Sequence, residues 1–307
     1  MPIDDLPRWA PGWCRRHLGA EPVDVLFRLE QMSDVLGVVL HDGSVAVLKA
    51  RPDDGCAVAG VEAQSGLAAR GFPCARPLTG VTRVGSLAVH AEEHRPGGDV
   101  LRGDSPEVAA RYAAVFARII GELEHLDVAP PPTNPRWAAW DHRGPSLWPA
   151  VAALDALEQD RVPDHVVATA TRVRARLLGA ALPRVLGHAD YEAQNLRWRG
   201  DLIWAVHDWD SLAHQPEAAL VGAASGTFSR STGPPTLAPI ASSEAFLAAY
   251  ETSRRRVFSA EEREVAWAAS LWPAAHNARW EALHADPPVA GTALADQAAE
   301  RLRRAGA

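Results

Sequence analysis

Three side chains suited to phosphoryl transfer lie close together in the sequence. Asp190 and Asn195 share one loop after a predicted strand, and Asp208 follows the next predicted hairpin. Phosphoryl transfer from a nucleotide needs a carboxylate that orients the attacking hydroxyl and accepts its proton, and it needs oxygen ligands for Mg²⁺. A loop that carries an acid and, a few residues later, an amide can present both groups toward one point. The second acid can then complete a metal site.

A cation must also hold the phosphates, and one residue stands out for this role. The chain has 31 basic residues, of which only Lys49 is a lysine. It ends the apolar segment Val45–Lys49, which is predicted to be a buried strand, and Glu62 lies on the helix predicted to follow. A compact ammonium group and a guanidinium group are not interchangeable in a confined site. We therefore expect Lys49 to hold the phosphates and Glu62 to orient it, the alternative being that the lysine is incidental.

The elements that must position these groups change in character along the chain. Up to residue 95, short apolar segments separated by turn signals predict strands and one helix. These are the strands Asp24–Leu29, Gly37–Leu40, Val45–Lys49, Val81–Val84 and Ser86–Ala91, and a helix that begins at Asp53 or Asp54 and ends near Ala69. After a linker at His94–Gly98, apolar residues recur at three- and four-residue spacing, which is typical of helices.

The second part of the chain is predicted to be mostly helical. The predicted helices are Glu107–Leu126, Pro149–Gln159, Asp164–Leu178, Ser243–Arg255, Ala260–His284 and Thr292–Arg304, with an irregular loop at Ala129–Pro149 and short strands at Val185–His188, Leu196–Arg199 and Ile203–Val206. Strands first and helices second predict an α+β fold. We expect a small β-rich N-lobe over residues 1–95 and a larger, mostly helical C-lobe over residues 96–307.

Composition and charge disfavour several other functions. A formal net charge of −7 argues against nucleic acid as the main partner, because phosphate contacts need clustered basic residues. Cys14, Cys56 and Cys74 form no Cys-x-x-Cys pair and indicate neither a disulfide framework nor a structural zinc site. No apolar run is long enough to span a bilayer, and the first residues lack the features of a signal peptide. We therefore expect a cytoplasmic protein without membrane or nucleic-acid partners.

The segment His188-Ala-Asp190-Tyr-Glu-Ala-Gln-Asn195, followed by a strand and Val206-His-Asp208-Trp-Asp210, resembles a known signature. It is similar to the H-G-D-x-x-x-x-N and I-D-W-[DE] motifs of the aminoglycoside phosphotransferase and choline kinase superfamily. The resemblance implies a bilobal protein-kinase-like fold. It also implies that Asp190 is the catalytic base, that Asn195 and Asp208 bind Mg²⁺, and that His188 supports the catalytic loop.

The resemblance extends to the predicted N-lobe. Lys49 matches the phosphate-binding lysine of the family, and Glu62 matches the glutamate that pairs with it. Two positions depart from the family pattern. Ala189 replaces the usual glycine of the loop, and Glu217–Gly222 stands where the family has an Asp-Leu-Ala motif. We expect the second departure to affect the choice of substrate rather than the chemistry.

The resemblance also implies where the nucleotide, ATP or GTP, is contacted. Residues 92–97 resemble the hinge whose backbone meets the adenine, which makes Glu93 and Arg95 candidates for nucleotide binding. The loop expected to cover the phosphates, Glu30–Asp34, is poor in glycine. Ser33 is its expected phosphate contact.

The resemblance implies a small-molecule kinase, with antibiotic resistance as the most familiar role. The acceptor is expected to be a small, cationic molecule with a hydroxyl group, such as an aminoglycoside-like antibiotic. The acids that would attract it lie in or after the catalytic loop: Glu192, Asp210, Glu217, Glu244 and Glu251. Two alternatives stay open: a metabolic kinase acting on choline, a sugar or an amino alcohol, and a nucleotide-binding pseudokinase. The second ranks lower because Asp190 and Asp208 are both present.

Overall fold

The computed structural model describes residues 6–30, 33–129, 131–231, 233 and 236–307. Helices hold 46% of the residues and strands 19%, with a β-rich sheet first and a helical region after it, which confirms the predicted α+β class. The helices are α1 (Ala10–His17), α2 (Cys56–Ala69), α3 (Pro106–Leu123), α4 (Ala152–Asp155), α5 (Asp164–Leu178), α6 (Glu217–Thr227), α7 (Ile240–Arg254), α8 (Ala260–Ala269), α9 (Trp272–His284) and α10 (Val289–Arg304). The strands are β1 (Pro22–Glu30), β2 (Asp34–Leu40), β3 (Val45–Pro52), β4 (Thr82–Val84), β5 (Leu87–Glu93), β6 (Arg184–His188), β7 (Leu196–Arg199), β8 (Leu202–Val206) and β9 (Leu212–Pro216).

One compact unit, unit 1, contains the sheet that carries Lys49. It is formed by the chain up to Gly98 together with Leu126–Pro132 and Arg199–Asp210. The sheet is antiparallel with the strand order β1-β2-β3-β5-β4. Every strand predicted before residue 95 is present in it, so the short apolar segments and turn signals of this region were sufficient to locate the sheet.

The alternation of side chains along β3 and β5 sorts them between two faces of this sheet. Leu48 and Val89 belong to an apolar core on one face, together with Trp13 of α1. Because successive residues of a strand point to opposite faces, Lys49 and His90 lie on the other face, and the register places them directly opposite each other. The sheet therefore collects charged and polar side chains on the face away from that core.

Helix α2 begins at a turn that satisfies its first amides. Asp53 Oδ1 accepts a hydrogen bond from the Gly55 amide at 3.3 Å, and Asp54 Oδ1 accepts one from the Cys56 amide at 3.1 Å. Gly55 itself has a φ of 81°, a left-handed conformation that favours glycine. Both aspartates predicted at this helix start thus act there, although Gly55 occupies the capping position.

The second compact unit, unit 2, is mostly helical and comprises Asp99–His125, Thr133–Trp198 and Ser211–Ala307. Helix α3 packs along α7, and α6 packs along α8. Strands β6 and β9 pair in an antiparallel ribbon. The predicted boundary after residue 95 lies close to the end of the first segment of unit 1. The sequence did not indicate that two later segments, 126–132 and 199–210, belong to the same unit.

Helix α6 lies deep in unit 2 and depends on two glycines. A Cβ atom on Gly222 would lie 2.1 Å from the Ala266 carbonyl oxygen, and one on Gly226 would lie 2.6 Å from the Ser270 carbonyl oxygen. These acceptors belong to α8 and to the residue that follows it. The two glycines therefore permit the backbones of the two helices to approach closely, which no larger residue would allow.

Two predicted helices have the wrong bounds, and three elements had no prediction of their own. The helix predicted over Ala260–His284 is divided into α8 and α9, and Pro273 lies in the first turn of α9, where its missing amide hydrogen costs nothing. The helix predicted over Pro149–Gln159 shortens to α4 (Ala152–Asp155) and a separate 3₁₀ turn. Helices α1 and α6 and strand β9 were not predicted. Helix α6 is buried along almost its whole length, so its sequence lacks the amphipathic pattern that predicts a helix. Among the described residues, no helix is both long and apolar enough to cross a membrane.

Candidate active site

In unit 2, the loop after β6 brings Asp190 and Asn195 together. The Asn195 side-chain nitrogen Nδ2 donates hydrogen bonds to Asp190 Oδ2 at 2.8 Å and to the Asp190 carbonyl oxygen at 2.9 Å. A 3₁₀ turn over Ala193–Asn195 folds the chain back so that the amide reaches the acid. The spacing of the two residues therefore produces the common geometry that it predicts.

The two ends of this loop are fixed by its neighbours. His188 is the last residue of β6, is buried, and pairs with Leu212 of β9. The Ala189 amide donates to the Ser211 carbonyl oxygen at 2.9 Å. The buried Tyr191 donates its hydroxyl hydrogen to the Tyr112 carbonyl oxygen at 2.8 Å, which ties the loop to α3. Asp190 thus lies on a loop that hydrogen bonds hold from both sides.

Glu192 is a buried acid within the same loop, which the sequence analysis assigned to substrate attraction. Its Oε1 atom accepts a hydrogen bond from Arg230 Nη1 at 2.8 Å, and its Oε2 atom accepts one from Gln194 Nε2 at 2.7 Å. Burial and the neighbouring Asp190 raise the pKa of Glu192 to about 8, while Arg230 and Gln194 act in the opposite direction. Glu192 therefore serves as an internal anchor of the loop.

The amide of Asn195 is oriented in a way that suits a cation. Because its nitrogen donates to Asp190, the amide oxygen is the atom that it can present to a metal ion. The carboxylate and amide oxygens of Asp208 and Asn195 are the hard donors that Mg²⁺ prefers. Among the described residues, no group of three or more histidine, cysteine, aspartate or glutamate side chains is placed to hold a metal ion. The Asp208 carboxylate in unit 1 and the Asn195 amide oxygen in unit 2 are each oxygen donors of the kind that a nucleotide-bound Mg²⁺ takes.

In unit 1, Lys49 lies among carboxylates. Its Nζ atom lies 3.6 Å from Glu92 Oε1 and 3.9 Å from Asp208 Oδ1, and only 6% of its side chain is exposed. Burial alone would lower the pKa of Lys49, but the charges of Glu92, Asp210 and Asp208 outweigh it and raise that pKa. The ammonium group is therefore charged and confined, as a phosphate-binding lysine must be.

The ion pair predicted between Lys49 and Glu62 is not formed. Glu62 lies on the exposed side of α2. Residues two apart on a helix are turned by about 200°, so it is Gln64 that faces the sheet, where its Nε2 atom donates to Glu92 Oε2 at 2.7 Å. Glu92 on β5 takes the position that the sequence analysis gave to Glu62. A signal for it existed in the β5 pattern, because the polar residues His90 and Glu92 stand at alternate positions and so share one face of the strand.

Asp208 follows β8 in a conformation that its neighbours fix. Its φ is 63°, in the left-handed region that aspartate tolerates better than most residues. Trp209 is fully buried, and its indole nitrogen donates to the Val206 carbonyl oxygen at 3.0 Å. Gly60 of α2 leaves room for this turn, since a Cβ atom there would lie 2.7 Å from the Trp209 carbonyl oxygen. The turn is thus shaped by a tryptophan on one side and a glycine on the other.

Asp210 belongs to the same polar group as Lys49. The Arg51 side chain donates to the Asp210 carbonyl oxygen at 3.2 Å, and His90 Nε2 lies 3.8 Å from Asp210 Oδ1. Burial would raise the pKa of Asp210, but Lys49, His90 and Arg51 lower it. Burial lowers the pKa of His90, while the charge of Asp210 acts in the opposite direction. His90 and Arg51 were not predicted as members of this group, because only the strand register places them beside Lys49.

The side chains of Glu93 and Arg95, the predicted nucleotide contacts, form hydrogen bonds within unit 1. Glu93 accepts hydrogen bonds from the Arg76 side chain at 2.9 and 2.6 Å, and its amide donates to the Arg76 carbonyl oxygen. Arg95 donates to the Trp204 and Cys74 carbonyl oxygens at 3.0 and 3.3 Å. Both side chains therefore hold the hinge segment itself. Ser33 directly precedes β2 and is half-buried; its neighbours Gln31 and Met32 in the predicted phosphate loop lie outside the described residues.

The remaining acids assigned to substrate attraction are engaged by arginines of unit 2. The shortest atom-to-atom distances are 3.5 Å for Glu217–Arg254, 3.3 Å for Glu244–Arg304 and 2.9 Å for Glu251–Arg263. Glu217 also accepts a hydrogen bond from the Tyr250 hydroxyl at 2.7 Å. Each of these carboxylates therefore has a guanidinium partner within unit 2.

Solved structures with the same fold come from several phosphotransferases. An amicoumacin kinase in complex with AMP-PNP, Ca²⁺ and Ami matches with a TM-score of 0.67 and 13% identity over 93% of this chain and 90% of that chain. A Thermobifida fusca protein proposed to be a fructosamine-3-kinase matches with a TM-score of 0.58 and 18% identity over 98% and 100%. An aminoglycoside phosphotransferase from Alicyclobacillus acidocaldarius matches with a TM-score of 0.53 and 14% identity over 99% and 95%. The fold is therefore that of the kinase-like phosphotransferases, as the sequence motifs predict.

The sequence itself places the chain more narrowly. The model of the phosphotransferase enzyme family that includes the aminoglycoside phosphotransferases matches residues 61–219, just over half of the chain. The chain belongs to this family, which confirms the resemblance found in its motifs. No curated protein sequence matches it.

Proposed function

We propose that this chain is a Mg²⁺-dependent small-molecule kinase that transfers the γ-phosphoryl group of ATP to a hydroxyl group of its acceptor. The observation that carries the proposal is the pair formed by Asp190 and Asn195, in which the amide of one holds the carboxylate of the other. A family member that had lost its activity would have no need to keep this pair, the confined Lys49 and the acid Asp208. The pseudokinase alternative is therefore disfavoured.

In the proposed mechanism, each residue has a role that its surroundings support. The Asp190 carboxylate orients the acceptor hydroxyl and takes its proton as the oxygen–phosphorus bond forms, and the ADP oxygen leaves with the electron pair of the bond that breaks. Asn195 holds that carboxylate in place through Nδ2. Lys49 contributes a charged ammonium group for the phosphates. Mg²⁺, held by Asp208 and Asn195 when it is bound, would neutralise phosphate charge.

We propose a cationic, hydroxylated acceptor of the antibiotic type, with a role in antibiotic resistance. The support comes from relatives of the same fold, which include an amicoumacin kinase and an aminoglycoside phosphotransferase. The acids named in the sequence analysis no longer support it, because Glu192, Glu217, Glu244 and Glu251 are paired with arginines and Asp210 lies beside Lys49.

A metabolic kinase is the second candidate. The observation in its favour is the likeness, at a TM-score of 0.58, to the Thermobifida fusca protein proposed to be a fructosamine-3-kinase. ATP is proposed as the phosphoryl donor because one relative holds AMP-PNP, with GTP as the alternative. The cytoplasmic location stays a prediction from the sequence.

The experiment is a screen for phosphoryl transfer. Purified protein is incubated with ATP or GTP, with Mg²⁺ or with EDTA, and with a panel of cationic antibiotics, choline, sugars, amino alcohols and fructosamines. Nucleoside diphosphate release and the mass of each acceptor are followed. We expect one class of acceptor to gain a phosphoryl group only when Mg²⁺ is present. Nucleotide binding without transfer to any acceptor would support the pseudokinase instead, and equal transfer in EDTA would refute the metal assignment.

A further inference from the structure

The strand register places Glu92 beside Lys49. Glu92 lies opposite Val47 in the β3–β5 pair, and Lys49 lies opposite His90. Lys49 and Glu92 are therefore diagonal neighbours on one face of the sheet, a position from which long side chains meet. Both side chains are buried, with 6% and 5% of their surface exposed. A buried ion pair in this position fixes the ammonium group relative to β5.

The second oxygen of the Glu92 carboxylate is held by α2. Gln64 Nε2 donates to Glu92 Oε2 at 2.7 Å and to the Ala75 carbonyl oxygen at 2.9 Å. The amide thus gives both of its hydrogens, and only 2% of Gln64 is exposed. Helix α2 contacts the lysine's partner through a neutral amide, and its own glutamate, Glu62, lies on the exposed side.

The charge of Glu92 affects the pKa values of two neighbouring groups, Lys49 and Cys74. It is the largest favourable charge acting on Lys49, ahead of Asp210 and Asp208. Burial and then the Glu92 charge raise the pKa of the nearby Cys74 thiol to about 12. A buried ion partner of this kind is costly to remove, because the charge left behind loses its compensation.

We propose that Glu92 of β5 is the residue that positions Lys49 for the nucleotide phosphates, and that Gln64 of α2 acts on the lysine only through Glu92. This inference rests on the proposed function. It assigns the positioning carboxylate to the sheet, whereas the resemblance to the family assigns it to the helix. Neither Glu92 nor Gln64 is a catalytic residue in this proposal, since both act through Lys49.

The test exchanges the carboxylate and the amide between the two elements. The variants are Glu92→Gln, the swap Glu92→Gln/Gln64→Glu, and Glu62→Gln, which removes the carboxylate that lies exposed on the same helix. Binding of ATP, ADP and adenosine in the presence of Mg²⁺ is measured by calorimetry, and each melting temperature is recorded. Adenosine is included because a lysine that holds phosphates contributes nothing to its binding.

For Glu92→Gln we expect affinities for ATP and ADP to fall about tenfold or more, a loss of at least one decade in Kd, with the adenosine affinity unchanged. The swap should not recover the loss, because it leaves an amide beside Lys49 and moves the carboxylate to α2, where it faces the Ala75 carbonyl oxygen. Glu62→Gln should bind like the unaltered protein. If Glu92→Gln fails to fold, the swap carries the test, because it keeps the total charge and still lacks a carboxylate on β5. Full phosphate affinity in folded Glu92→Gln, or in the folded swap, would overturn the assignment. An unaltered protein that binds no ATP would instead contradict the proposed function.

Discussion

At the Asp190–Asn195 pair, the proposed chemistry can be tested by replacing one carboxylate oxygen of Asp190 with an amide nitrogen. The Asp190→Asn variant keeps the shape of the side chain but has no carboxylate to accept the proton of the acceptor hydroxyl. We expect kcat to fall by at least about 100-fold, the usual scale for a general base, with an unchanged melting temperature. The measurement is kcat at saturating ATP and acceptor, with Asp160→Asn on the exposed surface as the matched control. Near-normal turnover in folded Asp190→Asn would refute the assignment of the base.

Lys49 offers a second test at the residue scale. Its ammonium group fits between Glu92 and Asp208 at 3.6 and 3.9 Å. A guanidinium group is larger and planar, and it would pair with a carboxylate through two nitrogens instead of pointing at phosphates. We expect Lys49→Arg to raise KM for ATP by about tenfold or more, roughly 1.4 kcal/mol, with KM for the acceptor unchanged. Unchanged kinetics in this variant would mean that the lysine is incidental, the alternative that its sequence left open.

Glu192 predicts a particular dependence of stability on pH. Burial and Asp190 raise its pKa in the folded protein to about 8, from an ordinary value of 4.5. Between these two values the folded state holds a proton that the unfolded state has released, so stability falls as pH rises through this window. We expect Glu192→Gln, which cannot titrate, to flatten the fall in melting temperature between about pH 5 and 8. Parallel pH profiles for the two proteins would show that Arg230 keeps Glu192 ionised throughout.

At the scale of elements, Gly60 connects α2 to the turn that carries Asp208. A Cβ atom on Gly60 would lie 2.7 Å from the Trp209 carbonyl oxygen, so that Gly60→Ala must displace either the helix or the turn. We expect weaker binding of Mg²⁺-ATP by about tenfold, measured by calorimetry, and a lower melting temperature. Gly12→Ala in α1 is the matched control, because nothing lies within 4 Å of its added methyl group. Equal binding by the two variants would contradict the role of this contact.

The elements also show which parts of the fold and the candidate site were predictable from the sequence. The loop from His188 to Asn195 was predictable because its function depends on neighbours in the chain, and a local turn is sufficient to join Asp190 to Asn195. The sheet around Lys49 was predictable because strands alternate. The partner of Lys49 was not, because it depends on which strand lies beside β3. The pairing of β3 with β5 is a long-range contact, and no local sequence pattern predicts it.

The choice between Glu62 and Gln64, two residues apart on α2, was not predictable from the local sequence either. Glu62 carries the charge expected of a lysine partner, so its residue type favoured it over Gln64. The direction of each side chain from α2 decides otherwise, and it depends on how the helix packs. Helix α6 was not predicted for a related reason. Its two glycines allow close contact with the backbone of α8 and the residue after it, and the local sequence does not show that this backbone lies there.

For the molecule as a whole, the net charge of −7 is not a count of unpaired carboxylates. In unit 2, three acids after the catalytic loop have arginine partners: Glu217, Glu244 and Glu251. A carboxylate beside a guanidinium group acts at a distance as a dipole, and its field falls off faster than that of a single charge. Screening in about 0.1 M salt, with a Debye length of about 10 Å, weakens what remains. Long-range attraction of a cationic acceptor should therefore contribute little to the rate of encounter.

The arginine partners of these acids predict how the reaction responds to salt. For the best cationic acceptor of the screen, we expect kcat/KM to change by less than about threefold between roughly 0.05 and 0.3 M salt. ATP is kept saturating and its own KM is measured at each salt concentration, because the phosphates of the nucleotide are themselves sensitive to screening. A neutral acceptor from the same screen is the control for effects of salt on the protein. A fall of tenfold or more for the cationic acceptor alone, with kcat constant, would show that unpaired carboxylates do steer it, and that the arginine partners release them when the substrate arrives.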